Sequence, residues 1–404
     1  MAQFVGVRTT AQTGTTESRI IREVGAEIGL LEPNEAPLIT LLSRMKKSRG
    51  VKSPTVEWME DDYTARWGLI GAAQYDSDDT TWTVTDSRIV VAGDVLLIPK
   101  VNTTVSAPEQ VLVYSVPSNS SILVVRGFAG TTADTVATSQ DFTIIGSAHA
   151  EGGAVATPKN TTIATVTSYV QDFKTACSIT DIAAATAVYG AASGDRMREH
   201  AKKLKEHKIA MNRALLFSKP SYSVSYTAYS TNPVRSTMGI NSVISSNITN
   251  AGGILTRKQF EAYSRQSFRY GAKQKILLAP PLLCSAINEW GNKFLSVSPG
   301  EKKFGVKIQQ VETAHGTWLL VNDWMLESGS AGYGFSNTAF SLDLDQIGYF
   351  YLAANGENLD TKIYEDVVKD GSTKKVDEIR TVGGFEIHQE KFHSKLWNIT
   401  DYQE

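Results

Sequence analysis

Cysteine is scarce in this sequence, and it has no apolar run long enough to span a membrane. The two cysteines, Cys177 and Cys284, lie far apart in the chain, which argues against a disulfide framework and against a cysteine-based zinc site. The longest apolar run, 275–287, is too short to span a bilayer and contains Pro280 and Pro281. The N-terminal residues lack the apolar core of an export signal, so we expect the product to stay in the cytoplasm.

The usual sequence motifs of catalysis and cofactor binding are also missing. There is no G-x-S-x-G, no G-x-x-x-x-G-K-[ST], no G-x-G-x-x-G and no H-E-x-x-H. We therefore predict no enzymatic activity, no cofactor and no metal site. In three pairs of His or Asp residues the spacing favours surface or hydrogen-bonded roles over metal binding or catalysis: His200 with His207, His388 with His393, and Asp343 with Asp345.

Chain length, composition and net charge limit the classes of protein to which this chain could belong. The chain has 404 residues, of which 42% are hydrophobic and 20% are charged, as is usual for a globular protein of two or three domains. Its formal net charge of -2 argues against coating nucleic acid by bulk electrostatics, although local basic patches are compatible with that charge.

The strongest local signal is a long amphipathic helix at 195–217. This stretch contains no Gly or Pro and is rich in Ala, Leu, Lys and Glu, which predicts a rod of about 34 Å. Ser193 or Asp195 is expected to cap its start. We expect one narrow stripe to pack and the remainder to be solvated or to meet another subunit; the stripe comprises Met197, Ala201, Leu204, Met211 and Leu215.

The N-terminal region divides into a polar arm and a short helix. Residues 1–19 are Thr-rich and lack periodicity, which predicts a flexible arm. Pro37 is well placed to begin a helix that ends at Met45. The apolar residues in this helix need a partner, which we expect to belong to a neighbouring molecule; they are Leu38, Ile39, Leu41 and Leu42.

Two charge blocks of opposite sign flank Pro54. Such blocks are either solvated loop faces or contacts between subunits, and both readings fit the sequence equally well. The basic block contains Arg44, Lys46, Lys47, Arg49 and Lys52. The acidic block contains Glu57, Glu60, Asp61 and Asp62.

A segment of different composition, 76–147, is almost devoid of Lys and dominated by Thr, Val, Ser, Asp and Ala. Six short strand patterns separated by turn residues predict a small all-β barrel or sandwich: TWTV, RIVV, VLLIP, VLVYS, ILVVR and FTII. The strand-like segments on either side, Val56–Trp58 and Ala164–Thr180, are interpreted as two legs of one long hairpin that carries this module.

Helix and strand patterns alternate in the C-terminal half, which predicts a mixed α/β domain. We expect helices at 257–270 and 281–290, and strands at 275–279, 306–312 and 317–321. Two long strands are expected near the C-terminus, at 340–351 and at 375–399, the second kinked at Gly383-Gly384.

The order of these segments resembles the major capsid proteins of tailed bacteriophages, which have the Hong Kong 97 fold. The resemblance spans nearly the whole chain, and the inserted module is its least family-typical part. Each motif that carries the resemblance is weak alone; they are IGLLEP (28–33), APLITLL (36–42), PTVEWMEDD (54–62), RSTMGI (235–240), FGVKI (304–308), LDLDQI (342–347) and KFHSK (391–395).

The resemblance implies an α+β Hong Kong 97 capsid fold with four parts. They are an N-terminal arm (1–50), an extended hairpin loop (51–180) with the inserted all-β module (76–147), a peripheral domain (181–220 and 357–404) with the spine helix (195–217), and an axial domain (221–356). It further implies hexameric and pentameric capsomers of an icosahedral head around double-stranded DNA, assembled in the host cytoplasm. A portal and scaffolding or decoration proteins are the other partners it implies.

Two other functions remain open on the sequence. The same fold is used by the shells of bacterial nanocompartments that enclose cargo. A hydrolase with a carbohydrate-binding β-module is the alternative of a different class, and the absent nucleophile and metal motifs count against it.

Overall fold

A computed structural model shows how these segments fold. The described residues are 37–44, 47–71, 73–99, 108–153, 155–186, 194–223, 232–294, 297–298, 302–303, 306–307, 309–327, 337–368, 371 and 373–403. The predicted flexible arm at 1–19 lies outside them. The chain divides into two compact units, Met1–Trp58 with Thr167–Glu404, and Met59–Val166.

The described chain contains six α-helices and 25 strands. The α-helices are α1 (Pro37–Arg44), α2 (Asp181–Ala185), α3 (Asp195–Phe217), α4 (Ile240–Val243), α5 (Arg257–Ser267) and α6 (Pro281–Phe294). The strands up to α3 are β1 (Ser48–Val51), β2 (Thr55–Glu60), β3 (Trp67–Leu69), β4 (Thr81–Thr83), β5 (Asp94–Ile98), β6 (Glu109–Ser118), β7 (Ser121–Val125), β8 (Asp141–Ser147), β9 (Ala164–Tyr169) and β10 (Gln171–Thr180). The later strands are β11 (Ser221–Ser223), β12 (Val234–Ser236), β13 (Ile248–Thr256), β14 (Gln274–Ala279), β15 (Val297–Ser298), β16 (Lys302–Lys303), β17 (Val306–Lys307), β18 (Gln309–Glu312), β19 (Thr317–Asn322), β20 (Ala339–Leu342), β21 (Ile347–Ala354), β22 (Glu357–Asn358), β23 (Lys362–Tyr364), β24 (Lys374–Ile387) and β25 (Ser394–Gln403).

The long helix packs on a six-stranded sheet of the first unit. The sheet order is β1-β21-β24-β10, with β22 on β21 and β23 on β24. Strand β10 pairs antiparallel with β24 over ten residues, and α3 lies against both strands. Strand β1 pairs in parallel with β21, which follows it by almost 300 residues in the chain. This last pairing places the basic block beside the C-terminal half of the protein.

Helix α3 has the predicted bounds, but its cap and its buried stripe differ from the prediction. Gly194 precedes the helix with φ +87° and makes no side-chain cap. Met197 is 59% exposed, whereas His200 and His207 are buried together with Met211 and Leu215. The stripe is rotated because the strands beneath it offer threonine and aspartate side chains, which hydrogen-bond imidazoles.

The short N-terminal helix α1 buries its apolar side chains within its own chain, so the expected neighbouring molecule is not needed. Leu38, Leu41 and Leu42 are at most 2% exposed, and α1 packs on α3. The buried Asn212 side chain of α3 accepts a hydrogen bond from the backbone N–H of Ile39 at 3.1 Å. Because that N–H lies in the first turn of α1, Asn212 acts as a cap supplied by another helix.

A second sheet of the first unit has seven strands in the order β13-β25-β20-β14-β19-β18-β15. Helices α5 and α6 pack on it around an aromatic core that includes Tyr263, Trp290 and Trp318. Thr256 and Gln259 form a reciprocal capping box at the start of α5. The expected helices and strands between 257 and 321 are all present, except that 306–312 is divided into β17 and β18.

Sheet membership does not follow the expected boundary between residues 356 and 357. Strand β21 joins the sheet under α3, although it precedes this boundary. Strand β25 joins the seven-stranded sheet between β13 and β20, although it follows the boundary. Long-range pairing therefore moves the chain between the two sheets twice.

The two expected C-terminal strands are both interrupted. A 3-10 turn at Leu344–Gln346 separates β20 from β21, and another at Glu390–Phe392 separates β24 from β25. Gly383 and Gly384 both lie inside the continuous strand β24. They allow close packing there: a Cβ at Gly384 would lie 2.6 Å from the Phe350 ring.

The second unit contains a six-stranded barrel in the order β3-β8-β5-β6-β7-β4. An antiparallel bridge between Ile70 and Val84 closes the sheet, so the structure has a barrel rather than a sandwich. Trp82, Leu96 and Phe142 fill the interior. The barrel begins with β3, before residue 76, because β3 pairs with β8. The expected strand RIVV is instead a 3-10 turn, Ser87–Ile89.

The legs of the expected hairpin are used in two ways. Strand β9 pairs with β2 in a separate two-stranded sheet, which we call the ribbon. Strand β10 belongs to the six-stranded sheet instead, since its long partner β24 offers ten residues of pairing.

Candidate functional site

Two residues of the basic block, Lys47 and Arg49, lie beside β21 and are paired within their own chain. Lys47 Nζ donates to the Leu344 carbonyl and to Asp345 Oδ1, each at 2.8 Å. The Arg49 guanidinium forms an ion pair with the Glu386 carboxylate, and its Nε lies 3.2 Å from both carboxylate oxygens. These pairs hold β1 on the sheet.

The two pairs border an open surface depression of about 240 Å³. Gly348 is one of the lining residues, and a Cβ there would lie 2.4 Å from Glu386 Oε1. A side chain at position 348 would therefore collide with the Glu386 carboxylate, and glycine avoids this clash. The Arg49 side chain stays 53% exposed while it binds a carboxylate that is 11% exposed. The depression thus presents a guanidinium at its rim.

A histidine adjoins the same carboxylate. His388 Nε2 lies 4.0 Å from Glu386 Oε2, and the centre of its ring lies 4.9 Å from that of Trp58, with the two planes tilted by 53°.

The acidic block lies on β2 and in the residues that follow it. Glu57 accepts a hydrogen bond from Thr167 Oγ1 at 3.4 Å, and Asp61 accepts one from Thr161 Oγ1 at 2.7 Å. Glu57, Asp61 and Asp62 are exposed. These residues remain accessible to a partner.

The structure brings together only some of the predicted contact residues. Lys47 and Arg49 share the depression, and Lys52 is exposed beyond it. The Arg44 side chain and Lys46 lie outside the described residues. Asp345, Glu386 and His388 were not foreseen as partners, because β1 and β21 are distant in sequence. The alternation of charged and apolar residues in FEIHQE was the one signal that marked Glu386 and His388 as facing the same way.

A buried carboxylate anchors the N-terminal half of α3 to β24. Asp377 is 1% exposed and accepts hydrogen bonds from Arg196 Nε and Nη2 at 2.7 and 2.6 Å. His200 Nε2 lies 2.6 Å from the same carboxylate, and the Asp366 N–H donates to it at 2.9 Å. The Arg196 guanidinium holds the pKa of Asp377 well below its usual range.

A second buried histidine anchors the middle of α3. His207 Nδ1 lies 2.9 Å from Thr175 Oγ1, and Nε2 lies 2.8 Å from Thr381 Oγ1. Burial lowers the pKa of His207, because the imidazolium would lose its hydration. The helix is therefore held by polar contacts as well as by Met211 and Leu215.

The seven-stranded sheet contains a buried cluster of titratable groups. Lys275 is 1% exposed, and its ammonium donates to the carbonyls of Ser267, Tyr270 and Phe392, each at 2.7 Å. Burial lowers the pKa of Lys275 to about 8, against an opposing effect of Asp343. The ammonium caps the C-terminal end of α5 through the carbonyl of Ser267, the last residue of the helix.

His393 belongs to this cluster and is held neutral. It is 1% exposed, and the Asp343 N–H donates to its Nδ1 at 3.4 Å. Burial, with the nearby Lys275 charge, lowers its pKa to about 4, while Asp343 acts in the opposite direction. His388 is the other titratable group that affects it.

This pKa predicts acid destabilisation of the seven-stranded sheet. An unfolded histidine titrates near 6.5, so between pH 6.5 and 4 the unfolded chain binds more protons at His393 than the folded chain does. The stabilisation is complete above pH 6.5, and about 3 kcal/mol is lost as the pH falls to 4. Hydrogen exchange of β14, β20 and β25 at several pH values measures this loss.

Two variants separate this effect from general acid sensitivity. His393→Gln removes the titration and is expected to flatten the pH dependence of exchange, whatever its effect on stability at pH 7. His315→Gln changes an exposed histidine and should keep the wild-type dependence. An unchanged slope in His393→Gln would show that other groups carry the acid sensitivity.

In the described ranges, no three His, Cys, Asp or Glu side chains are grouped so that they could hold a metal ion. No helix of the described part of the chain is long and apolar enough to cross a membrane.

Solved structures to which this chain is similar include phage and GTA capsids and an encapsulin. The capsid of a native GTA particle matches at a TM-score of 0.48 with 8% identity, over 96% of this chain and 98% of that chain. The cyanophage A-1(L) capsid matches at 0.47 with 12% identity, over 96% and 99%. The SrpI encapsulin of Synechococcus elongatus PCC 7942 matches at 0.41 with 10% identity, over 62% of this chain and 80% of that chain. No curated protein matches significantly.

The family comparison is decisive where these distant structural matches are not. The family model described as SU10 major capsid protein matches residues 6–400. This match covers both units and does not favour the nanocompartment alternative, and it leaves no place for a hydrolase. The chain belongs to the SU10 major capsid protein family, and it is a structural component of a tailed-phage capsid rather than an enzyme.

Proposed function

We propose that this chain has the Hong Kong 97 fold and forms the hexamers and pentamers of an icosahedral head that encloses double-stranded DNA. The match of the capsid family over residues 6–400 carries this proposal. In this assignment the sheet under α3 is the peripheral domain, the seven-stranded sheet is the axial domain, and the ribbon and barrel form the extended loop. A portal and scaffolding or decoration proteins complete the head.

Exposed apolar side chains near the ribbon support assembly between copies. Tyr63 and Val155 are almost fully exposed, Met59 is 75% exposed and Ile163 is 60% exposed. Apolar side chains that a folded chain leaves this open are usual where another protein covers them. A neighbouring subunit is the cover that a shell of identical copies supplies.

Electron microscopy of the expressed full chain tests the assembly proposal. Closed shells or isolated capsomers are the expected particles. A chain that remains monomeric in analytical ultracentrifugation at high concentration, also with its scaffolding partner present, would contradict it.

We further propose that the acidic block of one copy contacts the basic block of the next. Glu57, Asp61 and Asp62 are exposed, and Lys52 is an exposed member of the opposite block. Lys47 and Arg49 contribute less than the sequence suggested, because both bind carboxylates of their own chain. Each exposed pair contributes little, but repetition over a shell sets the register of neighbours.

Charge reversal tests this contact. Glu60, Asp61 and Asp62 changed together to Lys are expected to abolish assembly at low salt and to leave the circular dichroism and melting of the monomer nearly unchanged. Adding Lys52→Glu should restore part of the assembly, since it spares the internal pairs of Lys47 and Arg49. The defect should weaken as salt rises, because the screening length falls to about 8 Å near 0.15 M.

A matched control has the same change of charge elsewhere in the same unit. Asp78, Asp141 and Glu151 are exposed acids outside the block, and their joint reversal to Lys should leave assembly intact. If the first triple variant assembles at the wild-type yield in low salt, the blocks are solvated faces.

A further inference from the structure

Helix α3 carries a strong positive charge on a chain that is slightly acidic overall. Asp195–Phe217 contains seven Lys or Arg residues and three acidic residues, whereas the whole chain has a formal net charge of -2. The cations of its middle and C-terminal parts are Lys202, Lys203, Lys205, Lys208 and Arg213.

Local ion pairs occupy the acidic residues of this helix. Glu199 accepts from Arg198 at 3.0 Å, and Glu206 accepts from Lys203 at 2.6 Å. Lys202, Lys205 and Lys208 recur every three residues, so they rise by about 4.5 Å from one to the next. Lys205, Lys208 and Arg213 are exposed, and Lys202 is partly exposed. We call these four residues the cationic row.

The opposite face of α3 is fixed, so the direction of the cationic row is fixed as well. His200 binds Asp377 at 2.6 Å, and His207 lies between Thr175 and Thr381. Met211 and Leu215 are buried on the same side. The helix cannot turn its lysines toward the sheet without breaking these contacts.

Like charges spaced three or four residues apart repel one another and weaken a helix by a few tenths of a kcal/mol per pair. A regular row of them on a rigid helix suits a ligand with a regular array of negative charge. Double-stranded DNA carries one negative charge per about 1.7 Å of its axis and binds lysine without regard to sequence.

We propose that the cationic row of α3 faces the interior of the shell and contacts the phosphate backbone of packaged DNA. The proposal rests on the proposed function, since it requires a DNA-filled head. The net charge of the chain does not predict contact with DNA, and the proposal assigns that contact to one surface. An acidic surface of a neighbouring subunit is the competing occupant, and the experiments below separate the two.

The first experiment measures binding of the full chain to a random-sequence DNA duplex at several salt concentrations. Changing Lys202, Lys205 and Lys208 together to Gln is expected to reduce the slope of log K against log salt by about 2 to 3, because each phosphate contact contributes about 0.9. Lys258, Lys273 and Lys362 are exposed lysines outside α3, and their joint change to Gln should keep the wild-type slope. Equal slopes for the two triple variants would overturn the proposal.

The second experiment locates the row in assembled particles. Lysine acylation followed by mass spectrometry is compared between DNA-filled heads and heads emptied of DNA. Protection of Lys202, Lys205 and Lys208 in filled heads alone supports DNA contact. Protection in both kinds of head would place the row at a subunit interface, and full labelling in both would leave it on the outer surface; either result refutes the proposal.

The two proposals can fail separately. If the Gln variant of the row assembles into normal heads but binds DNA like wild type, the capsid function stands and only the DNA contact is lost. If the wild-type chain forms no capsomers or shells under any condition, the proposed function itself fails.

Discussion

Replacing Arg126 with methionine is expected to destabilise the barrel by about 3–5 kcal/mol, because the change leaves Glu109 as a buried carboxylate without its cation. The two side chains are only 6% and 4% exposed. Their pairing is bidentate, with Arg126 Nε to Glu109 Oε1 at 2.8 Å and Nη2 to Oε2 at 2.9 Å. Methionine keeps most of the volume of the arginine stem, so the expected loss comes from charge and hydrogen bonds.

Arg126 also ties three loops of the barrel together. Its Nη1 donates to the Asp76 carbonyl at 2.6 Å, and its Nη2 donates to the Asp134 carbonyl. Its guanidinium lies 5.0 Å from the centre of the buried Trp82 ring. Glu109 in turn accepts from the Gly127 N–H at 3.1 Å. Loss of Arg126 should therefore loosen several strand ends at once.

Hydrogen exchange of the full chain measures this loss locally, because a chain with two units is not expected to unfold in one step. Amides of β5 to β8 should exchange faster in Arg126→Met, and those of β14 and β24 should not. Adding Glu109→Gln should recover part of the protection, since it neutralises the orphaned charge. The matched control is Arg88→Met, which removes an exposed arginine paired with Asp86 and should leave exchange unchanged. If Arg126→Met exchanges like Arg88→Met, the buried pair does not stabilise the barrel.

The sequence predicted the strands of the barrel well and its stabilising ion pair not at all. Five of the six expected strand patterns are strands, because β-branched runs between turn residues report local preference. The RIVV run fails because Asp86 caps a 3-10 turn there by accepting from the Arg88 N–H. Pairing Arg126 with Glu109 requires the register of β6 and β7, which contains a bulge. Local composition does not encode that register.

In the first unit too, local structure could be predicted from the sequence and long-range contacts could not. The bounds of α3 followed from helix propensity over 23 residues, a long and uninterrupted signal. Its buried stripe was displaced because a hydrophobic pattern gives no weight to histidines that hydrogen-bond to a sheet. The order of strands in the sheets could not be predicted for a further reason. Strands β25 and β21 each cross to the other sheet through contacts that are distant in sequence.

The candidate contact site shows this limit most directly. The charge blocks are plain in the sequence, but the carboxylates that bind Lys47 and Arg49 follow them by about 300 residues. A charge pattern identifies which side chains need partners. Only the fold shows that Lys47 and Arg49 bind carboxylates of their own chain, whereas Lys52, Glu57, Asp61 and Asp62 stay exposed at the surface.

Proline in place of Lys205 is expected to cost about 3 kcal/mol or more and to prevent the formation of normal shells. Proline has no N–H to donate, and its ring would clash with the carbonyl of Ala201, four residues earlier. The position lies between His200 and His207, which fix the helix to the sheet through Asp377, Thr175 and Thr381. A kink at 205 would pull at least one histidine out of its hydrogen bonds and leave the buried partner unsatisfied.

Two controls isolate the break in the helix from the loss of the lysine. Lys205→Ala removes the same charge but favours the helix, so it should assemble normally. Asp195→Pro places the ring at the first helical position, where the N–H has no partner within the helix and the fixed φ is compatible, so it should be tolerated far better than Lys205→Pro. Hydrogen exchange of α3 and electron microscopy of particles provide the two measurements. Normal heads from Lys205→Pro would show that capsid assembly does not need a continuous α3. With a proline at this position, the helix cannot stay straight and also keep the hydrogen bonds of both buried histidines.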